Sequence, residues 1–205
     1  EAEYEGSYYF VSENESSSGS SFIETLDLKE GEKLIAVAPG GGKNVKLEMP
    51  NKRWPKEYYM ELIRKLSAEI PCKIVLFGSS DERELIKYIR HQLPQCFGAT
   101  DLSLGEVASI FKTCSLFIGN DSGPLHIASA MSTPTVSFYG PTNPKDWAPP
   151  GKTNTTLYKG VECSPCYDNG KFPECSHLDC LYSISVEEAW GEVKRSLEIV
   201  PVLKV

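Results

Sequence analysis

From Leu34 onward, short apolar runs alternate with amphipathic stretches, the pattern of a parallel sheet covered by helices. Leu34, Ile35, Ala36, Val37 and Ala38 form an unbroken apolar run that predicts a first buried strand, stopped by Pro39 and the glycines Gly40, Gly41 and Gly42. Tyr58, Tyr59, Leu62, Ile63, Leu66 and Ile70 then recur at helical spacing, behind a Pro55 placed where the first turn of a helix tolerates proline. Residues 73–77 give a second strand, and Ser79 with Glu82 spells a capping box opening a helix that carries Leu85, Ile86, Ile89 and Leu93. The same punctuation recurs at Ser103 and Glu106, ahead of Val107, Ile110 and Phe111, and the strand Leu116, Phe117, Ile118 follows. Pro124 starts a short helix through Ala130, residues 135–139 form another strand, and the Pro-rich residues 141–150 read as a loop. Ser185 with Glu188 caps a last helix bearing Val186, Ala189, Trp190, Val193 and Leu197. Strict alternation of strand and helix predicts an α/β fold, a Rossmann-like doubly wound parallel sheet with its ligand crevice at the carboxyl ends of the strands.

Residues 1–30 differ. They are acidic and Ser-rich around Tyr8, Tyr9, Phe10 and Val11, and the run Ser16, Ser17, Ser18, Gly19, Ser20, Ser21 reads as loop or linker, so this stretch is expected to be a lead-in to the domain of residues 31–205. With 205 residues, 40% of them hydrophobic, the chain is long enough for one compact domain and cramped for two. No apolar run approaches the roughly 18 residues that span a bilayer, which points to a soluble chain. A net charge of −7 argues against a general nucleic-acid binder, so any attraction of anionic ligands must be local. The chain opens at Glu1 rather than Met, as expected of a piece of something longer.

Three loops at the predicted strand ends supply that local chemistry. The loop at Pro39, Gly40, Gly41 and Gly42 lacks side chains, so its backbone N–H groups can approach a ligand closely, although it fits neither G-x-G-x-x-G nor Walker A and a flexible turn is the bland alternative. Lys52 and Arg53 are two cations just ahead of a helix start, where the helix dipole also favours an anion; a solvated pair is the alternative. The third loop, Asn120 through His126, is a strand-to-helix turn in which Ser122 and the N–H groups after it can hold phosphate oxygens. By residue type alone, Asp121 or Ser122 would be a helix cap and His126 a hydrogen-bonded core histidine.

The order of these elements changes the balance. A strand followed by Pro-Gly-Gly, then Lys52-Arg53-Trp54-Pro55, a strand ending Phe77-Gly78 with Glu82 behind it, Gly119-Asn120-Asp121-Ser122-Gly123-Pro124-Leu125-His126-Ile127-Ala128 and Phe138-Tyr139-Gly140-Pro141-Thr142 together resemble glycosyltransferase family 9, the lipopolysaccharide heptosyltransferase family. The resemblance covers residues 34–197 and lies in the C-terminal, donor-binding half of those two-domain GT-B enzymes. It implies an inverting transferase that takes heptose or a related sugar from a nucleotide-sugar donor such as ADP-heptose to a lipopolysaccharide core or similar glycan acceptor. It also implies that Lys52 contacts the donor diphosphate, Glu82 the ribose, and Asp121, Ser122, Gly123 and His126 the diphosphate and sugar side of the cleft, with Gly40 and Gly41 lining it. Lys52 and the helix N-terminus after Ser122 would stabilise the leaving diphosphate without a metal or other cofactor, and no D-x-D motif is present. The family's catalytic base is a carboxylate of an N-terminal, acceptor-binding half with no counterpart in this chain, so no catalytic residue is expected here. A cytoplasmic location follows by the same resemblance, peripheral at the inner membrane through that other half.

The cysteines stay open. Cys163, Cys166, Cys175 and Cys180 fall in C-x2-C…C-x4-C spacing with His177 between the last two, within a Cys-rich loop at residues 161–182, and structural zinc, disulfides and free thiols are all compatible with it. Cys72, Cys96 and Cys114 read as small core residues. Two other functions compete with a transferase half: a non-catalytic nucleotide-binding or zinc-binding module, and a reductase-type dinucleotide domain, disfavoured by the missing Gly-rich fingerprint after the first strand.

Overall fold

A computed structural model describes residues 6–41, 49–167 and 171–199; Gly42 therefore lies outside the described residues. Six parallel strands stand in the order β3-β2-β1-β4-β5-β6: β1 (Lys33–Ala38), β2 (Cys72–Phe77), β3 (Phe97–Ala99), β4 (Leu116–Asn120), β5 (Thr135–Tyr139) and β6 (Asn154–Tyr158). The direction of winding reverses between β1 and β4, whose register pairs Ile35 with Leu116 and Ala38 with Gly119. Such a switch point splays the loops leaving the two strands and opens a crevice at their carboxyl ends.

Alternation along the strands divides the core in two. Ile35, Val37, Ile74, Leu76, Ile118 and Phe138 face α2 (Lys56–Glu69), α3 (Arg83–Gln92) and α8 (Val186–Ile199), whereas Leu34, Ala36, Val75, Phe77, Phe117 and Tyr139 face the opposite layer. That second layer contains α1 (Glu13–Glu24), α4 (Leu104–Thr113) and α5 (Gly123–Ala130). Burial on both faces explains why the central strands read as continuous apolar runs. Each such buried Leu, Ile or Phe is worth about 1.5–3 kcal/mol, enough to fix which helix face points inward.

The capping boxes at Ser79 and Ser103 form as expected, the first opening a 3-10 turn at Ser80–Glu82 that runs into α3. Glu188 N–H donates to Ser185 Oγ at the last helix. Pro55 is the residue before α2, and α5 begins at Gly123 with Pro124 in its first turn.

One expectation is corrected. Ser16 to Ser21, expected as loop or linker, lie inside α1. Ser12 caps that helix through a reciprocal box with Glu15, and its small residues let it lie close on α4: Gly19 is buried, and a Cβ there would meet Ser109 Cβ at 2.8 Å. Phe22 and Ile23 then pack into the core beneath. By contrast, Tyr8 and Phe10 are exposed. The Pro-rich residues 141–150 include one helical turn, α6 (Pro144–Trp147), capped by Asn143. A further short helix, α7 (Asp179–Tyr182), precedes α8.

Candidate functional site

At the switch point lies a cleft of about 470 Å³. Its walls include Gly40, Gly41, Lys52, Glu82, Asp121, Ser122, Gly123 and His126, so every residue singled out from the sequence as donor-binding borders one space. Ala38, Phe77, Ala99, Leu102 and Val107 make one end of it apolar.

The charged end is built around Asp121, the residue after β4. It is 2% exposed, and its Oδ2 lies 2.5 Å from Lys52 Nζ and accepts a 2.7 Å hydrogen bond from Thr142 Oγ1. A buried carboxylate needs such partners, because desolvation alone would cost several kcal/mol. An ammonium has three N–H groups and the Asp121 contact occupies one, so Lys52 keeps donors for a second anion. The short 3-10 turn Pro50–Lys52 and the extended Arg53 carry the lysine to this position.

The Gly40–Gly41 turn forms another part of the wall. Gly41 has φ +96, a conformation that L side chains rarely adopt, and a Cβ there would stand 2.7 Å from Ser122 Cβ. Gly41 is held by the peptides on both sides of its Cα: its N–H donates to Glu82 Oε1, and its carbonyl accepts from Arg53 Nε at 2.8 Å. The other oxygen of Glu82 accepts from Ser79 N–H (2.7 Å) and Ser79 Oγ (3.0 Å). Glu82 is thus tied to the glycine turn as well as to its own cap.

Ser122 stands at the N-cap of α5, but its Oγ donates to Asn120 O at 3.2 Å and does not cap the helix. The amide end of α5 therefore faces the cleft, and Gly123 has open space where a side chain would project. Pro124 has no N–H and the Leu125 N–H donates to Ser122 O, so the Gly123 N–H is the first-turn amide that this uncapped N-terminus offers an anion. His126 lies on the next turn, exposed where it borders the cleft. Partial desolvation by its surroundings pushes its pKa down, the Lys52 ammonium adds to that, and the Asp121 carboxylate opposes it. At neutral pH its imidazole is neutral, able to donate from one nitrogen and accept at the other.

From sequence, Asn120 and Thr142 have no role beyond their place in the motifs above, and Arg53, expected as a cation beside an anion, donates to the Gly41 carbonyl. Asn120 is wholly buried and hydrogen-bonded to residues of two other loops. Their type and spacing carry no signal for this, because their partners are distant in sequence.

The four cysteines of the Cys-rich loop are free thiols, Cys163 and Cys175 exposed and Cys180 buried. Burial, with the neighbouring Cys166, Cys163 and Cys175, pushes the Cys180 thiol up to about 11. Among the described residues no three His, Cys, Asp or Glu side chains are grouped to hold a metal ion, so Cys163, Cys166, Cys175 and Cys180 are not gathered into a zinc site in this structure. The loop is instead stitched to the end of β5: Ser164 Oγ donates to Gly140 O, and the Cys166 and Tyr167 amides both donate to Pro141 O at 2.9 Å. Among the described residues no helix is long and apolar enough to cross a membrane.

With this geometry in hand, comparison with known proteins is informative. Lipooligosaccharide heptosyltransferase 2 of Haemophilus influenzae is 33% identical over 119 residues, 55% of this chain and 34% of that protein. Among solved structures, an ADP-heptose lipopolysaccharide heptosyltransferase II of E. coli superposes with a TM-score of 0.70 at 26% identity, covering 93% of this chain and 53% of that one. A family 9 glycosyltransferase from Veillonella parvula reaches 0.79 over 97% of this chain and 56% of its own; at 24% identity it supports the fold alone. The chain thus spans about a third of the first relative and about half of the two structures. The sequence model of glycosyltransferase family 9 (heptosyltransferase) matches residues 5–177, and with the α/β sheet shared with the GT-B heptosyltransferases this establishes that the chain belongs to glycosyltransferase family 9.

Proposed function

We propose that this chain is the donor-binding half of a heptosyltransferase and that its cleft holds a nucleotide-sugar donor of the ADP-heptose type. The observation that carries the reading is the pairing, across one crevice, of an Asp121-held Lys52 and an uncapped α5 N-terminus with an apolar end beside Glu82. A nucleoside diphosphate has matching parts: a flat base for the apolar end, ribose hydroxyls for a carboxylate, and phosphates for an ammonium and helix amides. The E. coli relative of similar fold, named as an ADP-heptose enzyme, supports the choice of base and sugar.

In transfer with inversion, the bond from the anomeric carbon to the diphosphate lengthens while the acceptor oxygen bonds from the opposite face, and negative charge grows on the departing phosphate. On this reading Lys52 Nζ and the Gly123 N–H face the departing phosphate, and stabilisation is largest for donors fixed in advance. The Lys52–Asp121–Thr142 chain fixes the ammonium in this way. These groups suit departure of the diphosphate without a divalent cation. Neutral His126 borders the cleft and on this reading hydrogen-bonds a sugar hydroxyl or a phosphate oxygen. A carboxylate on a second, acceptor-binding domain would deprotonate the acceptor hydroxyl of a lipopolysaccharide core or similar glycan, with the assembly working at the cytoplasmic face of a membrane.

Calorimetric titration with ADP, ADP-heptose, UDP and NADH tests the reading. ADP and ADP-heptose are expected to bind, and no binding of any nucleotide would overturn it. Lys52→Ala, measured where the variant remains folded, is expected to weaken ADP binding by about 1.5–3 kcal/mol, the value of a charge-assisted contact.

A further inference from the structure

We infer that Asn120 is the positioning residue of the donor cleft, a single buried amide that sets the register of the two loops on which Lys52 and the glycine turn are carried. The inference rests on the donor-site reading above. Asn120 ends β4 at the switch point and is 0% exposed. Its Oδ1 accepts from the Trp54 backbone N–H at 2.9 Å and from Tyr59 OH at 3.0 Å. Its Nδ2 donates to the carbonyls of Pro39 at 3.2 Å and Gly40 at 2.7 Å. The orientation of the amide is dictated by these partners, since a backbone N–H can only donate and the two carbonyls can only accept.

No other side chain of this size does the same job. The loop after β1 turns two carbonyls inward and the segment before α2 turns an N–H inward, so the group between them must donate twice and accept at least once. Leucine would leave all of these unpaired in a buried space, and aspartate would set a carboxylate against two carbonyl oxygens. Because every hydrogen bond of the amide is made, its burial is compensated and the two loops have one favourable arrangement.

The consequences for the cleft follow from chain connectivity. With the Gly40 carbonyl drawn inward, the N–H at the other end of the same trans peptide, that of Gly41, points the opposite way, to Glu82, and Gly41 adopts its positive φ. With the Trp54 N–H pinned, Lys52, two residues earlier, is brought to Asp121, the residue that follows Asn120. Adjacent side chains thus hold the backbone and the ammonium of the same segment. The Trp54 ring, stacked on Phe138 at 4.0 Å with its Nε1 donating to Ile184 O, anchors that segment to the sheet and to the turn before α8.

Asn120→Leu tests this with two readouts. The first needs no ligand: amide hydrogen exchange at Gly41, whose N–H is bonded to Glu82 and not to Asn120, is expected to accelerate at least tenfold. The second is ADP affinity measured well below the melting temperature, expected to fall at least tenfold. Thr133→Val is the control. It removes a buried 2.6 Å hydrogen bond to Phe111 O away from the cleft and is expected to lower the melting temperature while leaving both readouts at the wild-type value. Should Asn120→Leu not fold, Asn120→Thr, whose hydroxyl can donate only once where the amide donates twice, is held to the same two measurements. A folded variant with wild-type Gly41 exchange, or with ADP affinity lost only as the folded fraction falls, overturns the assignment. A wild-type chain that binds no ADP overturns the donor reading instead, and Gly41 exchange still decides on Asn120.

Discussion

His126 is a solvent-facing imidazole at the cleft, near a cation and a carboxylate, and partial desolvation by its surroundings resists its protonation. In the unfolded chain the same group takes up a proton near its ordinary pKa of about 6.5. Below that value the unfolded state therefore binds more protons than the folded one, so the contribution of His126 to stability is fully present above about pH 6.5 and is lost as the pH falls toward the depressed folded-state value. Urea unfolding at about pH 7.5 and about pH 5.5 is expected to show a drop for the native chain and a smaller one for His126→Gln. An equal drop in both would place the acid sensitivity elsewhere. At this scale the sequence was a good guide to the residues that line the cleft, because Lys52, Glu82, Asp121 and His126 belong to types whose chemistry is visible in isolation. What it could not reveal was the use made of them. Asp121 is spent largely on holding Lys52, and the amide of Asn120 reaches carbonyls about eighty positions away in the chain.

Helix α1 shows a different limit. Serine and glycine are weak helix formers, so the stretch from Ser16 to Ser21 scores as a linker by composition. Tertiary packing overrides that preference: small side chains let α1 approach α4, and the buried area compensates for the poor propensity. The Ser12–Glu15 box was nonetheless written in the sequence, in the same form as those at Ser79 and Ser103. Because the fit depends on the missing side chain, Gly19→Val is expected to destabilise the fold by about 1–3 kcal/mol through overpacking, as read by denaturant unfolding. A change within the error of the measurement would mean that α1 contributes little to the domain. The two strands hardest to see, β3 and β6, fail for a geometric reason. Both lie at sheet edges, where β3 is three residues long and contains Gly98, and β6 exposes Thr155 and Thr156 in part, so neither makes an apolar run.

Across the whole molecule, stability should follow distance from the switch point. β1 and β4 are covered on both faces and paired on both edges, whereas β3 and β6, the outermost strands of the sheet among the described residues, each pair with one neighbouring strand. Native-state hydrogen exchange is expected to rank β1 and β4 slowest and β3 and β6 fastest, and faster exchange in β4 than in β6 would contradict this. Strand alternation and parallel order were legible because burial on two faces imprints continuous apolar runs, while loop geometry at the carboxyl ends was not, since it depends on hydrogen bonds between segments. One such meeting constrains which residues the chain can carry as well as its shape. A Cβ at Gly40 would stand 2.5 Å from Glu82 Cδ, so a larger residue at 40 has to displace the carboxylate at 82, and with it the cap on Ser79. Substitutions at two sites forty-two residues apart in the chain are therefore expected to depend on each other.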